Sequence, residues 1–491
     1  MGLYWDKLLN PTRARIESSV QKLESDNRSP YKKDFDTVCN SAVLRRLQDK
    51  AQVFPLEQED YARTRLTHSI EVLSIAGSLA VQAVSIIKKT LDEYVSDSSE
   101  KTIEKTREYI EEIPTILNTA ALLHDMGNPP FGHLGEQIIS DWFSENLSKI
   151  VRNGNDGYSF NDVGEAKNTL AYILKGKYAD DLTHFDGNAQ LLRLVTKLNY
   201  VVDKNGMNLS YPVIATFIKY PCASSKIDDA KLSTKKAGYF SAEEETYKKI
   251  SETLGLIGCR HPLAFLLEAA DDIAYLTADI EDAHHKGIVT VSCLKEYLKS
   301  NQEDAIVKRV LDEMDAYEVA AKNENYPNIE NYIIHRIRVM IKGLMIDAMY
   351  ESFENNYEAI MKGSFESELI AESSVAILAS VLRRIEKEKI YYCNDIVVNK
   401  TRAIKILYKL LDTYVPAILS YNSDDSKKDN NSNLLYLSLS ENYRFVCEQA
   451  NMKPDISEAE RVYNLLLLIT DQISGMTDSR AMTVHKMITA R

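Results

Sequence analysis

Basic charge, paired cysteines and long apolar runs are all scarce in this chain, and each shortage removes a class of protein. The six cysteines (Cys39, Cys222, Cys259, Cys293, Cys393 and Cys447) are scattered, with no Cys-x-x-Cys pair among them. That pattern argues against a disulfide framework or a zinc ribbon and for reduced, packed thiols. The opening Met-Gly-Leu-Tyr-Trp-Asp-Lys has neither the basic-then-apolar order of a signal peptide nor a Ser or Thr for a lipidation signal. No stretch approaches the ~20 consecutive apolar residues of a membrane helix; the 465–469 run is far too short. A cytoplasmic protein without membrane contact is therefore expected. Lys and Arg number 59 against 72 Asp and Glu, a formal charge of −13. This balance excludes a surface broadly coated for nucleic acid, so a polyanionic ligand must meet a local site.

With 44% hydrophobic and 27% charged residues over 491 positions, the composition is that of a folded chain with a sizeable core. Apolar residues recur at helical spacing, as in Leu66, Ile70, Leu73, Ile75 and Leu79, and again in Ile116, Ala120 and Leu123. The pattern predicts an all-α fold with at most a small β-hairpin. It shows no repeat of 20 to 50 residues and no linker, so 1–491 is expected to form a single unit. Stretches 152–162 and 423–433 have loop composition. Stretch 222–240 carries Lys226, Lys231, Lys235 and Lys236, and reads either as a solvated loop or as a segment facing phosphate.

The most informative run is Thr119-Ala-Ala-Leu-Leu-His124-Asp125-Met-Gly-Asn-Pro-Pro-Phe-Gly-His133-Leu-Gly-Glu136. An adjacent His and Asp at the end of an apolar helix offer nitrogen and oxygen to a metal. Upstream, Arg65 and His68 are three apart and share a helix face, one suited to an anion and the other to a cation. Downstream, Asp271, Tyr275 and Asp279 repeat every four residues among Ala270, Ile273, Ala274 and Leu276. They form a polar stripe facing either an interior cleft or solvent. His68, His124, Asp125 and Asp271 together would make a site of two imidazoles and two carboxylates, with positions left for water and phosphate. Its mixed donors favour Mn, Mg or Fe over a closed structural zinc. His133 and Glu136, three apart after the Pro-Pro-Phe-Gly turn, read as an imidazole oriented by a carboxylate for proton transfer.

These motifs, in this order, resemble the HD-domain superfamily and, within it, the bacterial deoxyguanosine triphosphate triphosphohydrolases. The likeness runs along most of the chain, through Arg-Leu-Thr-His68, His184-Phe-Asp-Gly-Asn188-Ala-Gln, Lys219-Tyr220-Pro221, Ser233-Thr-Lys235-Lys-Ala-Gly-Tyr-Phe, Arg260-His-Pro-Leu, Glu268 to Tyr275 and Gly475-Met-Thr-Asp478. It implies a helical catalytic core over 60–290 with a helical C-terminal region over 291–491. It further implies cleavage of a dNTP to deoxynucleoside and tripolyphosphate with a divalent metal, Mg or Mn ahead of Co, Fe or Zn. By residue, the resemblance makes His68, His124, Asp125 and Asp271 the metal ligands and His133 with Glu136 the catalytic pair. Asp271 is preferred to Asp272 because Tyr275 then falls at the sugar-stacking position and Asp279 near the 3′-hydroxyl. Arg65, Lys219, Tyr220 and Lys235 match triphosphate or sugar contacts, His184 and Asn188 further substrate contacts, and Gln52 and Val53 the nucleoside pocket. Asn128 stands where many relatives have His, which leans the expectation toward dGTP.

The implied reaction is attack of water on the α-phosphorus with the 5′-oxygen leaving, His133 transferring a proton and Tyr275 leaving no room for a 2′-hydroxyl. A homo-oligomer, hexamer or tetramer, is implied as well, and single-stranded DNA as an effector is compatible. Two other readings stay open on the residues alone. One is an HD phosphohydrolase of another nucleotide; the other is a non-catalytic regulator that binds nucleotide or nucleic acid.

Overall fold

The computed structural model describes residues 2–15, 26–54, 62–153, 157–161, 165–199, 204–421 and 431–489. Of the two expected loops, positions 154–156, 162 and 423–430 lie outside the described residues. The fold is mainly helical, as the periodicity predicts, with a two-stranded sheet among the described residues. Strands β1 (Ile150–Arg152) and β2 (Tyr158–Phe160) pair antiparallel with Ile150 opposite Phe160. Part of the expected 152–162 loop is therefore strand. Aromatic and β-branched residues there outweigh the Asn and Gly around them.

Helix α1 (Arg65–Thr90) begins at a capping box in which the Thr64 side chain accepts from the Thr67 amide and the Thr67 hydroxyl from the Thr64 amide. This reciprocal cap sets where the helix starts, and so where Arg65 and His68 point. Its buried stripe, including Val72, Ile75, Ala76, Leu79 and Ala83, packs on α2 (Ile113–Leu123). Each fully buried Leu or Ile there contributes about 1.5–3 kcal/mol. By length and composition 65–93 is apolar enough to cross a membrane. It is packed, however, on three sides by α2, α4 (Pro262–His285) and α5 (Ile329–Met361).

Helix α4 starts with Pro262 at its first turn and the His261 ring accepting from the Leu263 amide at 3.2 Å. Nearly every face of α4 is buried, so its acidic residues must find partners inside the protein. Helix α3 (His133–Asn146) leans on α7 (Asn394–Leu419), which also packs on α8 (Glu458–Ser474) and α9 (Asp478–Thr489). Helix α6 (Ala376–Ile385) packs on α4 and runs into a single widened turn, Glu386–Ile390. Such turns often re-aim side chains at functional sites, and this one faces the same cavity as α1 and α4.

Candidate metal centre and hydrolytic cavity

The first turn of α1, the end of α2 and the middle of α4 converge on one point. His68 Nε2 lies 2.9 Å from Asp271 Oδ1, and His124 Nε2 lies 3.6 Å from the same oxygen. One ligand atom from each of these three residues falls within 4.8 Å of the others. His124 Nδ1 sits 2.7 Å from the Ala121 carbonyl, which makes that nitrogen a donor and turns Nε2 toward the carboxylates. This buried Nε2 has no hydrogen-bond partner, and neither does His68 Nδ1. An unpaired imidazole nitrogen aimed at carboxylates is an arrangement a divalent cation would complete.

Asp125 stands beside this trio rather than within it. Its Oδ2 is 3.7 Å from His124 Nε2 but 2.6 Å from an Arg65 guanidinium nitrogen, and its Oδ1 accepts from Asn128 Nδ2 at 2.6 Å. Burial opposes charge on His124, yet the carboxylates of Asp125 and Asp271 overcome it and raise the imidazole to about 9. Burial likewise opposes charge on Asp271, but the two imidazoles hold it well below the usual carboxylate range. A locus that negative attracts protons and would attract a metal cation more strongly.

Glu136 and His133 form a second unit. His133 Nδ1 and Glu136 Oε2 are 2.8 Å apart, and Glu136 Oε1 accepts from the Gly187 amide at 3.0 Å. Against the cost of burial, His133 and Lys236 draw the glutamate down to about 2, while the Glu136 charge raises His133. The His133 side chain is 76% exposed and opens into the cavity, whereas Glu136 is buried. Gly187 has a steric reason to be glycine. A Cβ there would sit 2.2 Å from Asn128 Oδ1 and 2.5 Å from Glu136 Oε1. Gly132, at φ +61°, does the same for Arg65, whose guanidinium would meet a Cβ at 2.1 Å.

Both units open on a cavity of about 770 Å³. Of the residues expected to hold substrate, Gln52, Val53, Arg65, Lys219, Tyr220, Lys235, Tyr275 and Asp279 line it. His184 and Asn188 do not. The His184 ring faces the Asp180 carbonyl at 3.1 Å on the surface, and Asn188 is bonded back to Asp186 at 2.7 Å. Lys219 is held 2.9 Å from Glu268, which Arg260 grips at 2.6 Å, while Lys235 is exposed and forms no ion pair among the described residues. The basic 222–240 stretch thus reaches the cavity through Lys235.

Adjacent aspartates on α4 serve different partners. Asp271 meets the imidazoles, whereas Asp272, pushed up to about 7 mainly by burial, lies 3.2 Å from Arg383. Sequence reasoning missed Arg383, Glu368, Glu386, Tyr391, Ile396 and Lys400, which line the cavity from the C-terminal half of the chain. The only local signal was a charged run, Arg383-Arg-Ile-Glu386-Lys-Glu-Lys, of the kind that usually faces water. Arg383 donates to the Tyr275 hydroxyl at 3.3 Å and orients that ring. Glu386 Oε1 and Asp279 Oδ1 are both buried without hydrogen-bond partners. Burial lifts Glu386 to about 8, and burial together with the Glu386 charge raises Asp279 far above its ordinary value.

The HD domain family matches residues 65–175, which include His68, His124, Asp125, His133 and Glu136 but stop short of Asp271. A Listeria monocytogenes protein named deoxyguanosinetriphosphate triphosphohydrolase-like protein is 38% identical over 488 residues, 99% of each chain. The deoxyguanosinetriphosphate triphosphohydrolases of Yersinia pestis (strain Pestoides F) and Yersinia enterocolitica are 30% and 29% identical over 94% of each chain. With the helical fold and a His-Asp cluster whose two histidines lie on the matched segment, this similarity along the full length means that the chain belongs to the deoxyguanosinetriphosphate triphosphohydrolase family of HD-domain hydrolases.

Proposed function

We propose that this protein hydrolyses dGTP to deoxyguanosine and inorganic tripolyphosphate, using a divalent cation, Mg or Mn first, held by His68, His124, Asp271 and Asp125. The observation that carries the reading is one cavity shared by the His68–His124–Asp271 cluster and the His133–Glu136 pair, with Lys219 and Lys235 on its wall. When bound, the cation supplies Lewis-acid neutralisation of phosphate charge. Arg65, Lys219 and Lys235 add fixed positive charge along the triphosphate path. Water attacks the α-phosphorus and the bond from phosphorus to the 5′-oxygen breaks. The Glu136 charge favours the protonated His133 imidazole, the form that delivers a proton to the departing 5′-oxygen.

Tyr275 and Asp279, one turn apart on α4, would bracket the deoxyribose, with the ring excluding a 2′-hydroxyl and the carboxylate accepting from the 3′-hydroxyl. The unpartnered Glu386 carboxylate suits guanine, the base whose edge offers two adjacent N–H donors. We further propose a cytoplasmic homo-oligomer, hexamer or tetramer, which mass measurement in solution would test.

A dNTP panel with Mg, Mn and Co, each assayed for tripolyphosphate, tests the proposal. Release of phosphate or pyrophosphate would favour another HD phosphohydrolase. Nucleotide binding without turnover under every metal would favour a sensor.

A further inference from the structure

The Gly475-Met-Thr-Asp478 motif does not line the cavity, yet its aspartate is only 3% exposed. Asp478 opens α9, and its two carboxylate oxygens go to different loops. Oδ2 accepts from the Ala51 amide at 3.0 Å, and Oδ1 accepts from the Phe131 amide at 2.9 Å. Ala51 begins the cavity wall that continues through Gln52 and Val53, while Phe131 lies two residues before His133. Beside this carboxylate the buried Lys50 ammonium donates to the carbonyls of Asn128 at 2.6 Å and Ser474 at 2.9 Å. The carbonyl of Lys50 in turn accepts from the Arg65 amide at 2.9 Å, at the start of α1.

We propose that Asp478 is a positioning residue: through these two backbone hydrogen bonds it sets the separation between the 51–53 wall and the turn that carries His133. The role rests on the hydrolytic reading above. The chemistry of the position explains the residue type. Two amide donors approach from separate loops, so two acceptors are needed, and a carboxylate has two where an amide side chain has one. Phe131 is held at φ +66°, a left-handed conformation that a bulky residue keeps only where its surroundings enforce it. The bond from its amide to Asp478 is one such restraint. The same turn brings Gly132 against the Arg65 guanidinium, so its placement bears on both the anion-gripping arginine and the proton-transferring histidine.

The test is Asp478→Asn in the full chain, made alone and together with His133→Ala. Alone, it is expected to lower kcat for dGTP by about 10- to 100-fold, the scale that a misplacement of about 1 Å costs. Bound Mn per chain should not change. In the His133→Ala background the additional loss should be clearly smaller than the loss in the single variant, because one of the groups it positions is gone. An equal loss in both backgrounds overturns the proposal, as does wild-type kcat in the single variant. Amide exchange supplies a readout independent of turnover: Ala51 or Phe131 must exchange faster in the variant, and unchanged exchange at both refutes the clamp. Asp478→Glu, which keeps the charge and both acceptors on a longer stem, serves if the Asn variant does not fold, and must show the same coupling to His133→Ala. A wild-type protein that does not cleave dGTP would sink the hydrolytic reading, while the exchange experiment would still decide whether Asp478 clamps the two loops.

Discussion

Replacing Glu136 with Gln removes a single charge, yet the structure predicts a loss far larger than that swap would suggest. Glu136 presents one oxygen to His133 and the other to the buried Gly187 amide. Both partners donate, and a glutamine has only one oxygen to accept with. Either the Gly187 N–H loses its partner, at a cost of about 1–3 kcal/mol, or His133 is released from its orientation. The charge matters as well. Its depression from 4.5 to about 2 corresponds to roughly 3 kcal/mol of preference for the carboxylate, shared among His133, Lys236 and the Gly187 amide. Without that charge the imidazole loses the influence that raises its pKa. The sign follows directly: the protonated fraction of His133, and with it proton delivery, falls at a lower pH in the variant. We expect kcat to drop by about 10²-fold or more and the alkaline limb of the kcat profile to move to lower pH. Steady-state tripolyphosphate release across pH 5 to 9, on protein with its metal content measured, checks both. A metal-loaded Glu136→Gln variant with wild-type kcat and an unmoved alkaline limb would refute the reasoning.

Asp271→Ala should abolish metal binding by calorimetry, whereas Asp272→Ala should retain it, because Asp272 faces Arg383 rather than the imidazoles; the reverse outcome would make Asp272 the ligand. GTP should be cleaved at least about tenfold more slowly than dGTP if the Tyr275 ring excludes the 2′-hydroxyl, and equal rates would remove that gate. Burial holds Glu386 up at about 8, and the two N–H donors of a bound guanine would favour its ionised form. Glu386→Gln should then narrow the preference for dGTP over dATP in competition assays by about tenfold or more, the scale on which a lost charged acceptor is felt; an unchanged ratio would take Glu386 out of base recognition. The Glu136 and His133 shifts also predict opposite stability trends. The contribution of Glu136 is present above pH 4.5 and is lost as pH falls toward 2. That of His133 is complete below pH 6.5 and is lost as pH rises through its raised value. Thermal melts across pH, compared with the Glu136→Gln protein, would reveal both limbs.

How legible each part was depended on how local its signal is. His124 and Asp125 could be read because a helix of Ile, Leu and Ala runs straight into Gly127-Asn128-Pro129-Pro130, and such a break presents what precedes it. His133 and Glu136 were legible for the same reason, being three apart on the first turn after the break. The choice between Asp271 and Asp272 was not local. Both sit on a helix buried on nearly every face, and only the positions of α1 and α2 decide which one meets an imidazole. The resemblance supplied that choice from the spacing to Tyr275 and Asp279. The Arg383–Lys400 wall was illegible because alternating Arg, Glu and Lys ordinarily marks a solvated surface. What inverts that reading is the widened turn at Glu386–Ile390, which rotates Glu386 inward among groups more than 100 residues away in sequence. His184 and Asn188 are the opposite case, outside the lining of the cavity. Their motif has a strong local signature, but it is accounted for by Asp186 capping its own helix and by Gly187 passing close to Glu136. A motif can therefore support a site while most of its side chains lie outside the cavity, and Asp478 extends that argument to the far end of the chain.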